Sequence, residues 1–484
     1  MKKIFTLLLM AAAVIGSQAK VYTFEDLSKI DGTGVTKADD GSYLVTMNTS
    51  LANSDTVKLD DNNILVLKAQ LVITNGNTLK IQNNDVIKFG ASAQVRVEGE
   101  ADFAPTDTAT VTAADGATGT AKGFWIFGSK QRTNAVIKNV TFEYVGITFG
   151  NDLDNDGHWD MSNCTVKYNN GKIASGQAIN FNATCKGNII ENCHFEANTV
   201  SAIGSGSNTP VGITIRNNMF YKNSTTKRNR PQINMSCNAC PYDIVIEGNT
   251  VIGIAENTLA GGIAVSNLLA GKGAGKIYVR NNKISDNRYG ITGTGAMDIY
   301  IENNECVNNK YEATPANGGS GINLTQNSTN KTSYAYLRGN HVEGNLWGVT
   351  VIGWKEVNMG RNNLPTDDPE YNPGENILKD NVCNGETVDL ANMTDAMVYA
   401  LGNTWSVPIS RVWDVISLGA NTPRENVVVE TPFVAVDDVN FDREIAGVQY
   451  VNLAGQVSNT PFEGVNIVVT QYTDGNRNVV KVVK

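Results

Sequence analysis

The sequence predicts an all-β chain, a parallel β-solenoid of stacked coils followed by a small antiparallel β unit. Three observations carry this: an asparagine- and glycine-rich composition, two short strand patterns that alternate along most of the chain, and the end of that alternation near residue 430. Of 484 residues, 60 are Asn and 46 are Gly, while 41% are hydrophobic and only 18% charged. Asn and Gly serve tight turns and are poor in helix interiors, so the composition fits many short strands and excludes long helices. The hydrophobic share is enough for a sizeable core, which excludes disorder over most of the chain. A formal charge of −9 with no basic tail or stripe argues against nucleic acid as a partner.

In chain order, residues 1–19 read as a secretory signal. Lys2 and Lys3 precede the apolar run Ile4 to Ile15, and Ser17-Gln18-Ala19 supplies small residues for cleavage. That run is too short to span a bilayer, which needs roughly 20 apolar residues, and no later segment qualifies. No Cys lies near the cleavage point to carry a lipid anchor. Residues 20–49 are expected to cap the solenoid, and 50–430 to form it.

The first pattern, apolar-x-(Asn/Gly/Arg/Asp)-(Asn/Cys)-x-apolar, recurs as MSNCTV at 161, IENCHF at 190, IRNNMF at 215, IEGNTV at 246, VRNNKI at 279, IENNEC at 301, LRGNHV at 337, MGRNNL at 359 and LKDNVC at 378, with IKNVTF at 137 as a degenerate copy. Its fourth position returns every 19 to 36 residues. The second, small-(Ile/Val)-x-apolar, falls between copies of the first: GITF at 146, AINF at 178, AIGS at 202, QINM at 232, GIAV at 262, GITG at 290, GINL at 321 and GVTV at 348. Two interleaved strands per step describe a coil with one apolar set pointing inward. Coils stacked in register make a parallel solenoid whose backbone bonds run between neighbours.

This chain resembles the right-handed parallel β-helix superfamily, the pectate-lyase-like group. NTLKIQNNDVIKFGASAQVRVEGEADF from Asn77, GFWIFG at 123 and AVIKNVTFEYVGI at 135 resemble the first coils of exported β-helix proteins, and YALGNTWSVPISRVWDVI at 399 resembles their last. The resemblance implies the fold and leaves activity open, since that fold hosts lyases, hydrolases, adhesins and inert surface proteins.

The repeat also assigns its own positions. Asn218, Asn249, Asn282, Asn304, Asn340, Asn362 and Asn381 at the fourth position are expected to stack as an amide ladder, with Cys164 and Cys193 adjacent in the same line as a buried thiol pair or a disulfide. Glu191, Arg216, Glu247, Arg280, Glu302 and Arg338 at the second position alternate in sign and read as a solvated outward ladder. Of seven cysteines, Cys306 and Cys383 fall at the inward sixth position. Cys237 and Cys240 form a CxxC that lacks the second pair a zinc site needs, and a local disulfide is expected there.

Asp152, Asp154, Asp156 and Asp160 occupy positions 1, 3, 5 and 9 of an acidic turn with Gly157 at position 6 and His158 offering its backbone carbonyl. This spacing wraps oxygens around Ca2+, although Asn163 stands where a bidentate Glu is expected; the alternative is a solvated acidic turn.

Catalytic signals are thinner. Lyases on this fold need a base and a partner for the uronate carboxylate, and hydrolases need a close carboxylate pair. The glycine-histidine-glycine and arginine-isoleucine-lysine strings of polygalacturonases and the tryptophan-isoleucine-aspartate-histidine string of pectate lyases are absent, and His194 and His341 fall at an outward position. The loops joining the first strand to the second carry Lys167, Tyr168, Lys172, Tyr221, Lys222, Lys227, Arg228, Arg230, Arg288, Tyr289, Lys310, Tyr311 and Trp347. Within them Tyr221, Lys222, Lys227, Arg228, Arg230 and Tyr311 are the expected binding residues for an acidic polysaccharide.

Residues 431–440 read as a linker. Residues 441–484, with IAGVQYVNLAGQVSNTPFEGVNIVVTQYTDGNRNVVKVVK from Ile445, resemble a C-terminal sorting domain of the type IX secretion pathway, with strands YVNLAGQ and FEGVNIVVT and a turn at Asp474-Gly475. With the signal it implies a secreted or cell-surface protein whose tail engages the secretion machinery. Two functions stand side by side: a non-catalytic surface solenoid that binds polysaccharide, and a polysaccharide lyase or related enzyme acting on uronic-acid glycans.

Overall fold

The computed structural model describes residues 20–51, 55–127, 135–150, 158–170, 176–182, 184–207, 209–226, 228–269, 271–312, 314, 317–326, 333–430, 445–473, 475 and 477–483. The expected signal at 1–19 and the linker at 431–440 lie outside them. The chain divides into two units, Met1–Glu430 and Thr431–Lys484.

The first unit winds through three long parallel sheets of 15, 14 and 14 strands among the described residues. One coil illustrates all. Val211–Arg216 lies in sheet I, Met219–Tyr221 in sheet II and Arg230–Ser236 in sheet III, after which the chain returns to sheet I with Ile244–Glu247. This is the right-handed parallel β-helix. The first pattern supplies sheets I and II and the second supplies sheet III. Ile147, Ile179, Ile203, Ile233, Ile263, Ile291, Ile322 and Val349 align in register coil after coil and are buried. Stacked rings follow the same spacing, with Phe195 and Phe220 centroids 4.8 Å apart at 4°.

The Asn-Asn doublet has two separate jobs. Its first residue makes the corner between sheets I and II in the left-handed region, at Asn192 (φ 53°), Asn217 (φ 55°), Asn281 (φ 56°) and Asn303 (φ 53°), with Gly248 (φ 66°) filling the same corner. Its second residue is the ladder. Each buried amide accepts the backbone N–H of the preceding ladder residue and donates to a carbonyl three residues before it in that same preceding coil; Asn282 Oδ1 accepts from Asn249 N at 3.0 Å while its Nδ2 donates to Ile246 O at 2.9 Å. Cys164 and Cys193 sit in this line as buried free thiols, Cys164 N reaching Cys193 Sγ at 3.4 Å.

Two expected rungs are displaced. Asn340 N donates to Asn376 Oδ1 at 3.0 Å, so Asn376 holds the rung expected of Asn362, and Asn403 follows it. The reason is an excursion between Glu356–Asn358 and Ile377–Lys379: Arg361 N bonds back to Asn372 O at 2.7 Å, which closes the loop and carries Asn362 out of the coil.

Asn381 belongs to a second ladder, which lines the corner between sheets II and III and runs Asn169, Asn198, Asn223, Gln232, Asn287, Asn309, Asn345, Asn381, Asp389. Here too the preceding residue takes the left-handed region, as at Lys222 (φ 56°) and Asn308 (φ 57°). One coil has Ile254 where the amide should be, and Gln232 fills the gap, accepting from Asn223 N at 3.1 Å and donating to Ile252 O at 3.0 Å.

Cys306 sits in the main core between Ile284 and Val342 as expected, but Cys383 does not: it packs in a small separate cluster with Val388 and Ala391, because its strand turns back antiparallel onto Glu386–Thr387. The local disulfide expected between Cys237 and Cys240 is absent; both are buried free thiols in a turn closed by Cys240 N to Cys237 O at 3.1 Å.

The amino-terminal end is covered by the short helix Phe24–Ser28, which buries Phe24 and Leu27 and starts at a capping box on Thr23 and Asp26. The second unit is an antiparallel sheet of Val457–Ser458, Ile445–Asn452, Val465–Tyr472 and Arg477–Val483, in that order.

Candidate functional site

The charged row on sheet I is an ion-pair ladder. Arg216 meets Glu191 at 2.7 Å and Arg280 meets Glu247 at 2.7 Å, with side chains about a third exposed, and Arg338 turns to Glu375 at 3.3 Å. His194 and His341 point outward on sheet II, each against a glutamate two residues on, Glu196 at 3.1 Å and Glu343 at 2.6 Å. Neither row forms a site.

Of the acidic turn, Asp152, Asp154 and Asp156 lie outside the described residues. His158 O, expected as a calcium ligand, accepts Ala135 N at 3.2 Å and so is drawn into the pairing of sheet I. Asp160 lies on the outer face of that sheet between Val136 and Ile189, with His158 Nε2 at 3.5 Å, and burial raises its carboxyl pKa above the ordinary range.

The loop-edge residues separate. Lys222 Nζ lies 4.6 Å above the Tyr221 ring, so those two are together. Arg230 is folded inward, its Nη1 donating to Gly176 O at 2.7 Å. Arg228 is exposed, and Lys227 is outside the described residues. Tyr311 donates its hydroxyl to Asp286 at 3.3 Å, three coils further along than Tyr221. Of the remaining cations, Lys167 is paired with Glu143 at 2.8 Å.

A concave site forms beside this edge, on the outer face of sheet III. The third position of the second pattern places Thr148, Asn180, Gly204, Asn234, Ala264, Thr292, Asn323 and Thr350 in one register line. A second line two residues on reads Ser236, Ser266, Thr294, Thr325, Ile352. From Asn234 to Thr350 these lines floor a groove of about 640 Å³, walled by Arg288, Tyr289, Asn317, Ser320 and Trp347. Its size suits a small-molecule or oligomer site. Strand pairing fixes the floor, so each coil contributes at least one short hydroxyl or amide per strand spacing of about 4.8 Å, with Ala264 and Ile352 as the apolar breaks in the two lines.

The wall is held tightly. Arg288 is buried, forms an ion pair with Glu312 and donates Nη2 to Asn317 O at 2.5 Å. Tyr289 lies over Gly261, where any Cβ would strike its ring at 2.1 Å, and burial pushes its phenol up to about 12. Ser320 and Thr350 hydroxyls meet at 2.9 Å and Thr325 donates to Asn323 Oδ1 at 3.0 Å, whereas Thr292 Oγ1 is buried without a hydrogen-bond partner. Among the described lining residues there is no carboxylate, histidine or lysine.

The loop-edge reading included Arg288, Tyr289 and Trp347 but missed the floor. Its signal was present: the x of small-(Ile/Val)-x-apolar is short and polar in most copies, which a purely structural outward position does not require.

No family model matches the chain, and no curated protein matches it. Among solved structures, the chain is similar to the tailspike protein of E. coli bacteriophage HK620 in complex with a pentasaccharide, at 9% identity and TM-score 0.45 over 86% of this chain and 77% of that one. It is also similar to a double mutant of the periplasmic alginate epimerase AlgG, at 12% identity and TM-score 0.37 over 85% of this chain and 82% of that one. No residue role is carried over from either.

Proposed function

We propose that the protein binds polysaccharide in the groove on sheet III and performs no chemistry on it. The carrying observation is the groove itself, with a floor of short hydroxyls and amides, interrupted by Ala264 and Ile352, against Trp347. Sugar hydroxyls need short neutral donors and acceptors, and the apolar face of a sugar ring needs an aromatic wall. Catalysis finds little to use here. Hydrolysis requires two carboxylates that the described lining lacks. Proton abstraction requires a base, yet the Tyr289 phenol at about 12 stays protonated at neutral pH and Arg288 is committed to Glu312. Trp347→Ala should weaken binding to a polysaccharide that the intact protein retains by about 2 kcal/mol, roughly thirtyfold, as read by affinity electrophoresis or calorimetry. Unchanged affinity in that variant would remove the groove from the function.

Export is part of this proposal and rests on the signal at 1–19 and on the resemblance of residues 441–484 to a sorting domain. Calcium in the turn Asp152–Asp160 is likewise proposed, and Asp160 Oδ1, buried with no hydrogen-bond partner, is the observation that favours a cation there. The expected calorimetric result is calcium binding that Asp154→Ala abolishes; titration without heat ends that proposal.

A further inference from the structure

We infer that the groove selects uncharged glycans, and that Glu312 is the residue that sets this preference. The inference rests on the groove being the glycan site and adds the class of glycan it takes.

Arg288 is the single charged side chain among the described lining residues, and in an acidic protein it is the natural seat for a uronate. The structure closes that seat. Glu312 pairs with the guanidinium, and both side chains are nearly inaccessible, at 8% and 6% exposure. Asn317 O takes Nη2, and Gly318 lies so near that a Cβ there would come within 3.0 Å of Arg288 Nε. A carboxylate on an incoming sugar would have to displace Glu312 to reach Arg288. Short of that it would be desolvated against hydroxyls and amides that carry no charge to compensate it.

A neutral sugar meets no such penalty. Asn234, Thr292, Asn323 and Thr350 can exchange hydrogen bonds with its hydroxyls, and the Thr292 hydroxyl gains a partner it lacks in the chain. The long-range field acts the same way, because a chain of formal charge −9 repels a polyanion. The cations of the loop edge, the half-buried Lys222 and the exposed Arg228, are not among the lining residues and do not alter the charge of the floor.

The test uses the full chain with two sets of probes, neutral dextran, β-glucan and mannan against acidic alginate and polygalacturonate. The intact protein should bind a neutral probe with an affinity indifferent to salt. Glu312→Gln, which keeps the shape and frees the Arg288 charge, should gain about tenfold for acidic probes, and that gain should disappear at high salt. The double variant Arg288→Met/Glu312→Leu should keep the neutral preference, so the result does not hang on whether Glu312→Gln folds well.

If the intact protein prefers acidic probes and Arg288→Met abolishes that preference, this inference fails while the groove reading stands. A folded Glu312→Gln with no gain for acidic probes overturns the role given to Glu312. Binding by no probe, or binding that Trp347→Ala leaves untouched, takes down the groove reading itself and this inference with it.

Discussion

Asn282→Ala should lose about 4 kcal/mol of stability, a large fraction of what holds a coil in place. The substitution removes the acceptor of Asn249 N and Asn249 Nδ2, both at 3.0 Å, and the donor to Ile246 O at 2.9 Å. All of these groups are buried, and each orphaned one costs about 1–3 kcal/mol because no water replaces the lost partner. The loss should also spread, since the freed amide of Asn249 itself donates to Ile215 O. Arg280→Ala two residues earlier should cost under about 1 kcal/mol, because its pair with Glu247 is partly exposed and screened. Urea unfolding of the two variants, with hydrogen exchange read at Asn249, checks the contrast. Equal midpoints would show that the ladder amide contributes no more than the outward ion pair.

The second large effect is a dependence on pH centred on Asp85. This carboxylate is fully buried in an early coil, accepting Asn63 N at 3.2 Å and Gln82 N at 2.6 Å. Desolvation is the main cause that pushes it up from 3.8 to about 6, the charges of Asp61 and Asp60 adding to it against those two hydrogen bonds. The native state therefore takes up a proton as pH falls through about 6, whereas the unfolded chain takes it up only near 3.8. Stability from this group rises as pH drops across that window, by up to about 3 kcal/mol, and is lost again as pH climbs through about 6. Thermal unfolding of the intact protein and of Asp85→Asn, followed from neutral to mildly acid pH, should show the rise in the first and a flatter profile in the second. Superimposable profiles would mean that Asp85 is ionised and paid for by its two amide donors.

Such effects are readable from sequence only where a repeat makes a position visible. Asn218 through Asn340 were legible because the same amide returns at the same place in every coil, and a residue that recurs at a corner must satisfy the backbone there. The alternating Glu and Arg were legible for the same reason, and this kept three arginines from being mistaken for machinery. Register failed where the chain left the coil. MGRNNL matches the pattern by spacing, yet Arg361 bonds across to Asn372 and the rung passes to Asn376. Nothing local in the string separates it from a true copy.

What the sequence determined by itself is periodic: a parallel solenoid built from two recurring strand patterns, the inward apolar line, the thiols of Cys164 and Cys193 as neighbours, and a distinct carboxyl-terminal β unit. Periodicity suffices for these because each coil repeats the same local sterics and hydrogen bonds against its neighbour. What only the tertiary structure decided is non-periodic. The second ladder needs Gln232 to reach out of its own strand, and the groove needs the loops that carry Arg288, Glu312 and Trp347 to meet over a floor from other coils. These contacts join residues at unrelated spacings, and their chemistry changes when they meet. Arg288 reads in the sequence as a free cation on an acidic surface; buried against Glu312, its charge is already balanced.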